Sequence, residues 1–417
     1  MFAKSTILGC LWSIALVGSA TAENWTGWRG PGRNGVSTER ELPTEWSETT
    51  GIRWKTAVPG SGISNPIVWD DRVIVTASDG PQQADLHIIC YATDDGRELW
   101  HQRLWGTAPT RYHANKSSMA SPAAVTDGNH VFAFFGTGDV FCTDMQGQLQ
   151  WQRSLANEYG QFENRFAASS SPLLYQDMVI VQCDHYGDSY VIALDQETGA
   201  NRWKRDRPEA WLSWASPQLI PVGNGQHELI VSGSHKVDAF APATGEPLWT
   251  VNGMSRECIP TPVFGDGSLY VVSGPKSPTM AIRPGGRGDV TETHVRWRNT
   301  RGAPFVPSAI LVGERYYLVD DAGIATCLNG ADGKRVWQKR LSGAFTASPV
   351  AGDEKIYFTN ERGETTVIAA AKRGYKRLAQ NSVGEPVFAS PAISQGCIFL
   401  RTNRHLLCID GRGSDDQ

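Results

Sequence analysis

The sequence predicts an all-β fold, namely an eight-bladed β-propeller of four-stranded antiparallel blades whose ring is closed by an N-terminal strand. Three observations lead to this prediction. A proline recurs eight times at intervals of 42 to 56 residues, and a tryptophan ends six of the units that these prolines begin. A single strand that belongs to no unit lies before the first proline. Units of this length have room for four short strands, as a propeller blade requires.

The clearest unit begins at Pro172 and ends at Trp203. Val, Ile and Tyr recur with a period of two over residues 178–181 and 190–194, which is typical of pleated strands. The turn that follows them contains Gly199, a residue type that adopts positive φ without steric cost. We therefore expect four antiparallel strands between the proline and the tryptophan.

The same two markers divide the rest of the chain. The anchor prolines are Pro66, Pro122, Pro172, Pro217, Pro262, Pro307, Pro349 and Pro391. The closing tryptophans are Trp100, Trp151, Trp203, Trp249, Trp297 and Trp337. The unit that begins at Pro349 has only Tyr375 near the closing position, and the last unit ends at Asp410 without room for a fourth strand.

A closing strand at residues 52–55, around Trp54, lies upstream of the first unit. Because this strand has no unit and the last unit lacks a closing strand, we expect the two to pair. The pairing would leave no open sheet edge between the first and last blades. Residues 51 to 410 number 360, which is 45 for each of eight blades.

The first 22 residues have the pattern of a signal peptide, because Lys4 precedes an apolar run and a small-residue site ends at Ala22. The apolar run is too short to span a membrane. We therefore expect an exported chain, periplasmic or secreted after cleavage near Ala22, with no transmembrane segment in the mature chain. Lipidation at Cys10, whose surroundings loosely resemble a lipoprotein site, remains an open alternative.

Three further regions follow the signal peptide. Residues 23–50 are rich in Gly and Pro and lack strand alternation, so we expect a strap whose tryptophans pack on the outside or on one face of the propeller. Residues 51–412 form the predicted propeller, and residues 413–417 form a tail.

Four cysteines share one position of the repeat, where other units have alanine. They are Cys90, Cys142, Cys327 and Cys408, against Ala193, Ala239, Ala281 and Ala369. A position shared by Cys and Ala indicates a small buried slot, and equivalent positions of different blades lie too far apart for a disulfide. We expect mostly free, buried thiols. The redox state of Cys183, Cys258 and Cys397 stays open.

Composition and motifs exclude several functions. The chain has 39 Lys and Arg against 43 Asp and Glu and no basic stripe, which argues against nucleic acid as a partner. The sequence has no C-x-x-C pair, haem attachment motif, H-E-x-x-H or calcium loop. We therefore predict no catalytic residue, metal ligand or cofactor.

The longest departures from the repeat lie before Pro122 and Pro172, in loops that lead to the start of an innermost strand. Loops at one end of a rigid scaffold are the usual place for binding residues. The candidate channel-mouth residues are Arg111, His113, Asn115, Lys116, Glu163, Asn164, Arg165, Trp211, Trp214, Arg256, Glu257, Arg301, Phe305, Phe345 and Phe388. Their mixed charge and aromatic faces would suit a polar or aromatic ligand. The alternative is that they are solvated loop residues or channel plugs.

The repeat resembles the pyrroloquinoline-quinone-like propeller repeat. The pattern is carried by Ser171-Pro172, Ala193-Leu194-Asp195, Thr198-Gly199 and Trp203, and again by Ser216-Pro217, Thr244-Gly245 and Trp249. Residues 25–37 and 42–56 resemble exported propeller proteins of planctomycete-type bacteria. The same fold is used by the outer-membrane protein assembly lipoprotein, a scaffold for partner proteins, and by quinoprotein alcohol dehydrogenases.

The resemblance implies a scaffold more than an enzyme. The dehydrogenases that share this repeat resemble one another as longer chains with a calcium-bound quinone, a disulfide of adjacent cysteines and a catalytic Asp. This sequence has no Cys-Cys pair and no large insertions. Our first hypothesis is a non-enzymatic binding propeller that engages a protein partner or a small polar ligand at the channel mouth. The second is a quinone-dependent oxidoreductase with pyrroloquinoline quinone and Ca²⁺. A hydrolase or lyase built on the same funnel is a third.

Overall fold

The computed structural model describes residues 22–113, 116–274, 278–300, 302–370 and 374–411. These residues form eight blades, each with four strands in the antiparallel order expected from the sequence. The eight-bladed propeller is thereby confirmed. Of the helices in these ranges, none combines the length and the apolar character that a membrane crossing requires.

The strands of each blade are given from the channel outward. Blade 1 has Ile67–Trp69, Arg72–Asp79, Asp85–Ala92 and Glu98–Trp105; blade 2 has Val125–Thr126, His130–Phe134, Asp139–Asp144 and Leu149–Ser154. Blade 3 has Leu173–Tyr175, Met178–Cys183, Tyr190–Asp195 and Asn201–Asp206; blade 4 has Gln218–Gly223, Gln226–Gly233, Lys236–Phe240 and Pro247–Asn252. Blade 5 has Val263–Gly265, Ser268–Val271, Thr279–Ile282 and Val295–Asn299; blade 6 has Ile310–Val312, Arg315–Val319, Ile324–Asn329 and Arg335–Arg340. Blade 7 has Val350–Gly352, Lys355–Thr359, Glu364–Ala369 and Arg377–Ser382; blade 8 has Ala392–Ser394, Cys397–Arg401, His405–Ile409 and Ile52–Ala57.

A few elements lie outside this scheme. Gly288–Asp289 adds a short fifth strand, parallel to the outermost strand of blade 4. Leu212–Ser213 and Glu257–Cys258 form a separate parallel pair. The helices are Pro81–Gln83, a single 3₁₀ turn, and the α-helices Leu155–Tyr159 and Thr291–His294.

The core lies between neighbouring blades rather than in one centre. All six residues of Met178–Cys183 are buried, because this second strand is covered by a blade on each face. A strand buried on both faces is apolar at most of its positions and loses its alternation. The outermost strand Arg335–Arg340, by contrast, is almost wholly exposed.

The N-terminal strand closes the ring as predicted. Ile52–Ala57 pairs antiparallel with His405–Ile409, and Trp54 lies opposite Cys408. In the same way, Cys90 pairs with Trp100 and Ala193 pairs with Trp203 across neighbouring strands. The small residue therefore occupies the strand position that faces the tryptophan. All seven cysteines of the described residues are buried, and none of them is in a disulfide bond.

Two details of the predicted repeat are wrong in register. In blades 2 and 6 the innermost strand follows Ala124 and Ala309 directly, so the anchor position lies two residues after Pro122 and Pro307. In blade 7 the small-residue slot is Val367 rather than Ala369, and it faces Ala379. At this pair of positions the blade therefore has two aliphatic side chains and no tryptophan.

Most closing tryptophans dock on the next blade, whereas the indole N–H of Trp249 donates to Glu228 of its own blade at 2.8 Å. The indole N–H groups of Trp54, Trp100, Trp151, Trp203 and Trp297 donate to backbone carbonyls of the following blade at 2.8–3.1 Å. The rings lie against the glycine of the turn between the third and fourth strands, which has φ near +70° at Gly96 and Gly199. Positive φ and close approach together explain why glycine ends this turn.

We expect Gly96→Ala to destabilise the protein more than Gly225→Ala. Both glycines have φ near +70°, so each alanine costs about 1–2 kcal/mol in backbone strain. A Cβ at Gly96 would also lie 2.5 Å from the ring of Trp54, whereas at Gly225 nothing lies within 4 Å. The overpacking adds about 1–3 kcal/mol. Equal shifts of the urea midpoint would show that the tryptophan does not pack on this turn as described.

The strap of residues 25–39 contacts every blade. Trp25 and Thr26 bond to the innermost strands of blades 1 and 2, and Arg33 bonds to Leu174 and Gln218 in blades 3 and 4. The remaining contacts are Trp28 with Thr261 in blade 5, Arg29 with Ala309 in blade 6, Ser37 with Ala351 in blade 7, and Glu39 with Gln395 and Gly396 in blade 8. Most of these partners lie along the innermost strands, so the strap crosses one end of the channel.

Candidate functional site

A ring of six hydroxyl side chains surrounds the channel where the innermost strands begin. We call it the hydroxyl ring; its members are Ser171, Ser216, Thr261, Ser308, Ser348 and Ser390. Each hydroxyl oxygen accepts a backbone N–H from the preceding blade at 2.9–3.2 Å, the first donor being Ala123. The six residues are only 2–6% exposed. The ring therefore joins blades 2 to 8 at their inner edges.

A cavity of about 350 Å³ occupies the channel at this ring, and we call it the channel cavity. Its floor is Trp28 of the strap, whose indole N–H donates to Thr261 Oγ1 at 2.9 Å. Its walls are mostly apolar and come from the loops that lead into the innermost strands: Ile63, Phe166, Trp214, Ile259, Phe305, Val306 and Phe388. A cavity of this size, with large apolar side chains around a ring of converging polar groups, is typical of a binding site.

Charged side chains line the cavity near its mouth, and most are held in ion pairs. Lys116 pairs with Glu361 and lies 5.6 Å from the ring centre of Phe388. Glu257 pairs with Arg165. Asp321 accepts the backbone N–H of Phe305 at 2.8 Å, and burial raises the pKa of this carboxyl. Opposite charges are thus matched in pairs at two places around the mouth, and Asp321 is anchored to the backbone.

Five residues predicted from the sequence line this cavity. They are Lys116, Trp214, Glu257, Phe305 and Phe388. Trp214 is held by its indole N–H, which donates to the carbonyl of Ala167 at 2.8 Å, and by an edge contact with Phe166.

Three other predicted residues lie beside the cavity. Arg165 reaches it through its ion pair with Glu257. Arg256 stacks on Trp211, with its guanidinium carbon 4.9 Å from the ring centre, and Trp211 is 46% exposed. These groups form an exposed rim next to the cavity.

The remaining candidates divide by their surroundings. His113 lies against Phe166, with ring centres 5.8 Å apart, and Arg111 and Glu163 are exposed. Asn164 is buried, and its Oδ1 has no hydrogen-bond partner within the described residues. Asn115 and Arg301 lie outside the described residues.

Phe345 was expected at the mouth, but the structure places it in the core. It is 1% exposed and packs in the cluster of blades 6 and 7 with Leu341 and Phe358. Its backbone N–H donates to the carbonyl of Asp321, which turns this loop so that Thr346 rather than Phe345 meets the cavity.

Sequence reasoning missed Trp28, Phe166, Asp321 and the hydroxyl ring. Trp28 belongs to the non-repeating strap, and Asp321 lies in a turn that looks like any Asp- and Gly-containing hairpin. The ring left a signal that could have been used, since a Ser or Thr precedes the anchor position in blades 3 to 8.

The residues present do not fit a calcium-bound quinone. Within the described ranges no three His, Cys, Asp or Glu side chains are grouped to hold a metal ion. Glu163 and Asn164 do not line the cavity, and Glu257, which does, is held by Arg165. Calcium prefers six to eight oxygen ligands, several of them carboxylates.

The fold and the channel define a class of protein, the eight-bladed propellers built from pyrroloquinoline-quinone-like repeats. Within this class, the chain belongs to the family described as outer membrane protein assembly factor BamB. The family pattern matches residues 11–206, 87–339 and 187–416.

One curated relative and two solved structures are similar to this chain. The outer membrane protein assembly factor BamB of Yersinia pestis is 24% identical over 257 residues, which cover 61% of this chain and 55% of that protein. The crystal structure of BamB from Moraxella catarrhalis matches with a TM-score of 0.59 at 14% identity, over 87% of this chain and 97% of that one. A europium-containing methanol dehydrogenase matches with a TM-score of 0.69 at 11% identity, over 94% and 90%. At these identities the two structures show the fold alone.

Proposed function

We propose that this chain is an exported, non-enzymatic scaffold that binds a segment of a partner protein at the mouth of the channel cavity, without a bound cofactor. The observation that carries the proposal is the cavity itself, an apolar-walled space of about 350 Å³ opening beside an exposed rim of aromatic and charged side chains. The match to the assembly-factor family supports a protein as the partner.

The rim has the composition of a protein-binding surface. Trp211 is 46% exposed, although large aromatic side chains are normally buried. Arg256 stacks on Trp211 and holds it in place. Trp, Tyr and Arg dominate the binding energy of protein interfaces, because they bury a large area and also offer a polar group.

The rim is also prepared for binding. Side chains that are already fixed lose little conformational freedom on association. Arg165 and Glu257 form an ion pair, and Trp214 is tied to the backbone. A partner segment would therefore meet a surface whose geometry is largely set before it arrives.

A photo-crosslinking amino acid, p-benzoylphenylalanine, at position 211 is expected to capture a specific protein in the cells that make this chain. The control places it at Val336, which is 37% exposed on the outermost strand of blade 6, far from the mouth. With the captured partner in purified form, Trp211→Ala should weaken the complex at least tenfold, as expected for an interface hot spot.

Two outcomes would contradict the proposal. Equal capture at positions 211 and 336 would show that the rim is not the binding surface. Saturable binding of pyrroloquinoline quinone with Ca²⁺, together with dye-linked alcohol oxidation, would show an enzyme instead.

A further inference from the structure

We propose that the hydroxyl ring is a receptor for uncharged carbonyl groups, so that the channel cavity takes a neutral, apolar peptide segment whose carbonyls accept hydrogen bonds from the ring. This inference rests on the proposed function and specifies which kind of segment enters. It follows from the hydrogen-bond capacity of the ring, from the walls of the cavity and from its charge.

The ring presents donors to the cavity. A hydroxyl has one hydrogen to donate and two lone pairs, and each ring oxygen already accepts a backbone N–H. Within the described residues no protein atom accepts the hydrogen of any of these six hydroxyls. The six residues are at least 94% buried, and all line the cavity. Buried donors are nearly always satisfied, so the contents of the cavity must supply acceptors.

The walls select for an apolar body. Phe166, Trp214, Phe305 and Phe388 surround the space above the ring, and Trp28 closes it below. Burying apolar surface against these rings stabilises a complex, whereas burying a polar group there without a partner is costly. The ligand therefore combines acceptor oxygens with apolar side chains, as an extended apolar peptide does.

The charges select against ions. Among the described residues at the mouth, Lys116 pairs with Glu361 and Arg165 pairs with Glu257, Arg256 stacks on Trp211, and Asp321 is bonded to the backbone of Phe305. Lys116 and Arg165 are already engaged in ion pairs, so an entering carboxylate would have to compete with Glu361 or Glu257 for them. An entering cation would meet, at the bottom, hydroxyls whose oxygens already accept a backbone N–H each. A neutral carbonyl suffers neither penalty.

Three probes with the same aromatic body separate these cases. They are N-acetylphenylalanine methylamide, which is neutral, N-acetylphenylalanine, which is a carboxylate at pH 7.5, and phenethylamine, which is a cation. Titrations of the mature protein followed by ligand-detected NMR should show binding of the neutral amide at least fivefold tighter than that of either ion. Tighter binding of the carboxylate or of the amine would overturn the proposal.

Ring variants test which atoms are responsible. Ser348→Ala and Ser308→Ala should each weaken the neutral amide about threefold to tenfold, the value of one hydrogen bond. Ser348→Thr keeps the hydroxyl and should keep most of the affinity. The matched control is Ser189→Ala, which removes a buried hydroxyl that likewise accepts a backbone N–H, from His185 at 2.9 Å, but does not line the cavity.

The outcomes separate this inference from the proposed function. Unchanged affinity in both alanine variants would overturn the role of the ring, while capture at position 211 would still stand. Loss of capture at position 211, with the amide still bound through the ring, would overturn the protein scaffold instead. A crystal structure at saturating amide with only ordered water on the ring would also overturn the inference, and this measurement needs no variant that could fail to fold.

Discussion

Replacement of Arg207 by leucine is expected to lower the free energy of unfolding by about 3–5 kcal/mol. Arg207 is 5% exposed, between blades 3 and 4, with its Nε 3.3 Å from Asp184 Oδ1 and a terminal nitrogen 3.7 Å from Asp238 Oδ2. The leucine would leave the Asp184 carboxylate buried without a cation. Asp238 would keep Lys236, at 3.9 Å, so Asp184 carries most of the cost.

The deficit of this variant should shrink as the pH falls from 7 to 5. Burial raises the pKa of Asp184 above its ordinary value, and Arg207 opposes that rise. Without the arginine the pKa rises further. A carboxyl whose pKa is higher in the folded state binds more protons there than in the unfolded chain, at any pH between its two pKa values. The free energy of unfolding therefore falls as the pH rises through this range and recovers as the pH falls. Urea midpoints of both proteins at pH 5 and pH 7 measure the difference.

A surface arginine serves as the control. Arg202 pairs with Asp177 and with Asp195, but its side chain is 40% exposed, so Arg202→Leu should cost less than about 1 kcal/mol. Asp184→Asn in the Arg207→Leu background should recover part of the loss, since it removes the buried charge. An Arg207→Leu protein as stable as the unmodified one would contradict the assignment of a buried ion pair.

The fold could be predicted because the repeat markers have fixed physical roles. Trp203 and Gly245 recur together with most of their equivalents, because in five blade pairs the indole packs on a turn glycine of the next blade. The proline shifts by two residues in blades 2 and 6, where Ala124 and Ala309 take the anchor position. The hydroxyl residue before the anchor position keeps its place even where the proline does not. In blade 6 Ser308 still forms its hydrogen bond to Ser348 in the next blade.

The site could be predicted only in part, because the sequence shows which loop reaches the mouth but not which way each side chain points. Lys116 and Phe388 were placed correctly in loops that lead to innermost strands. Phe345 comes from an equivalent loop but turns into the core, since its backbone is bonded to Asp321. Trp28 was missed because its role depends on the path of a strap that has no repeat.

Replacement of Trp54 by alanine is expected to cost about 3–5 kcal/mol, comparable to the loss of the buried arginine. Trp54 is 8% exposed on the strand that closes the ring, its ring centre is 6.0 Å from that of Phe399, and its N–H donates to Thr93 in blade 1 at 2.9 Å. The alanine removes this contact between blades 8 and 1 and leaves a cavity beside Gly96.

The replacement of Trp54 should also change the cooperativity of unfolding, which a loss of packing alone would not do. In an open array of repeats each blade depends only on its neighbours, and its ends unfold independently. In a closed ring the contact of blade 8 with blade 1 ties the two ends of the chain together, so its loss should broaden the unfolding transition as well as lower its midpoint. Trp105→Ala is the control, because Trp105 is 72% exposed and should change stability by no more than about 0.5 kcal/mol. A Trp54→Ala protein with an unchanged, equally sharp urea transition would mean that the ring is held closed by the strap, whose residues 25–39 contact all eight blades, rather than by the closing strand.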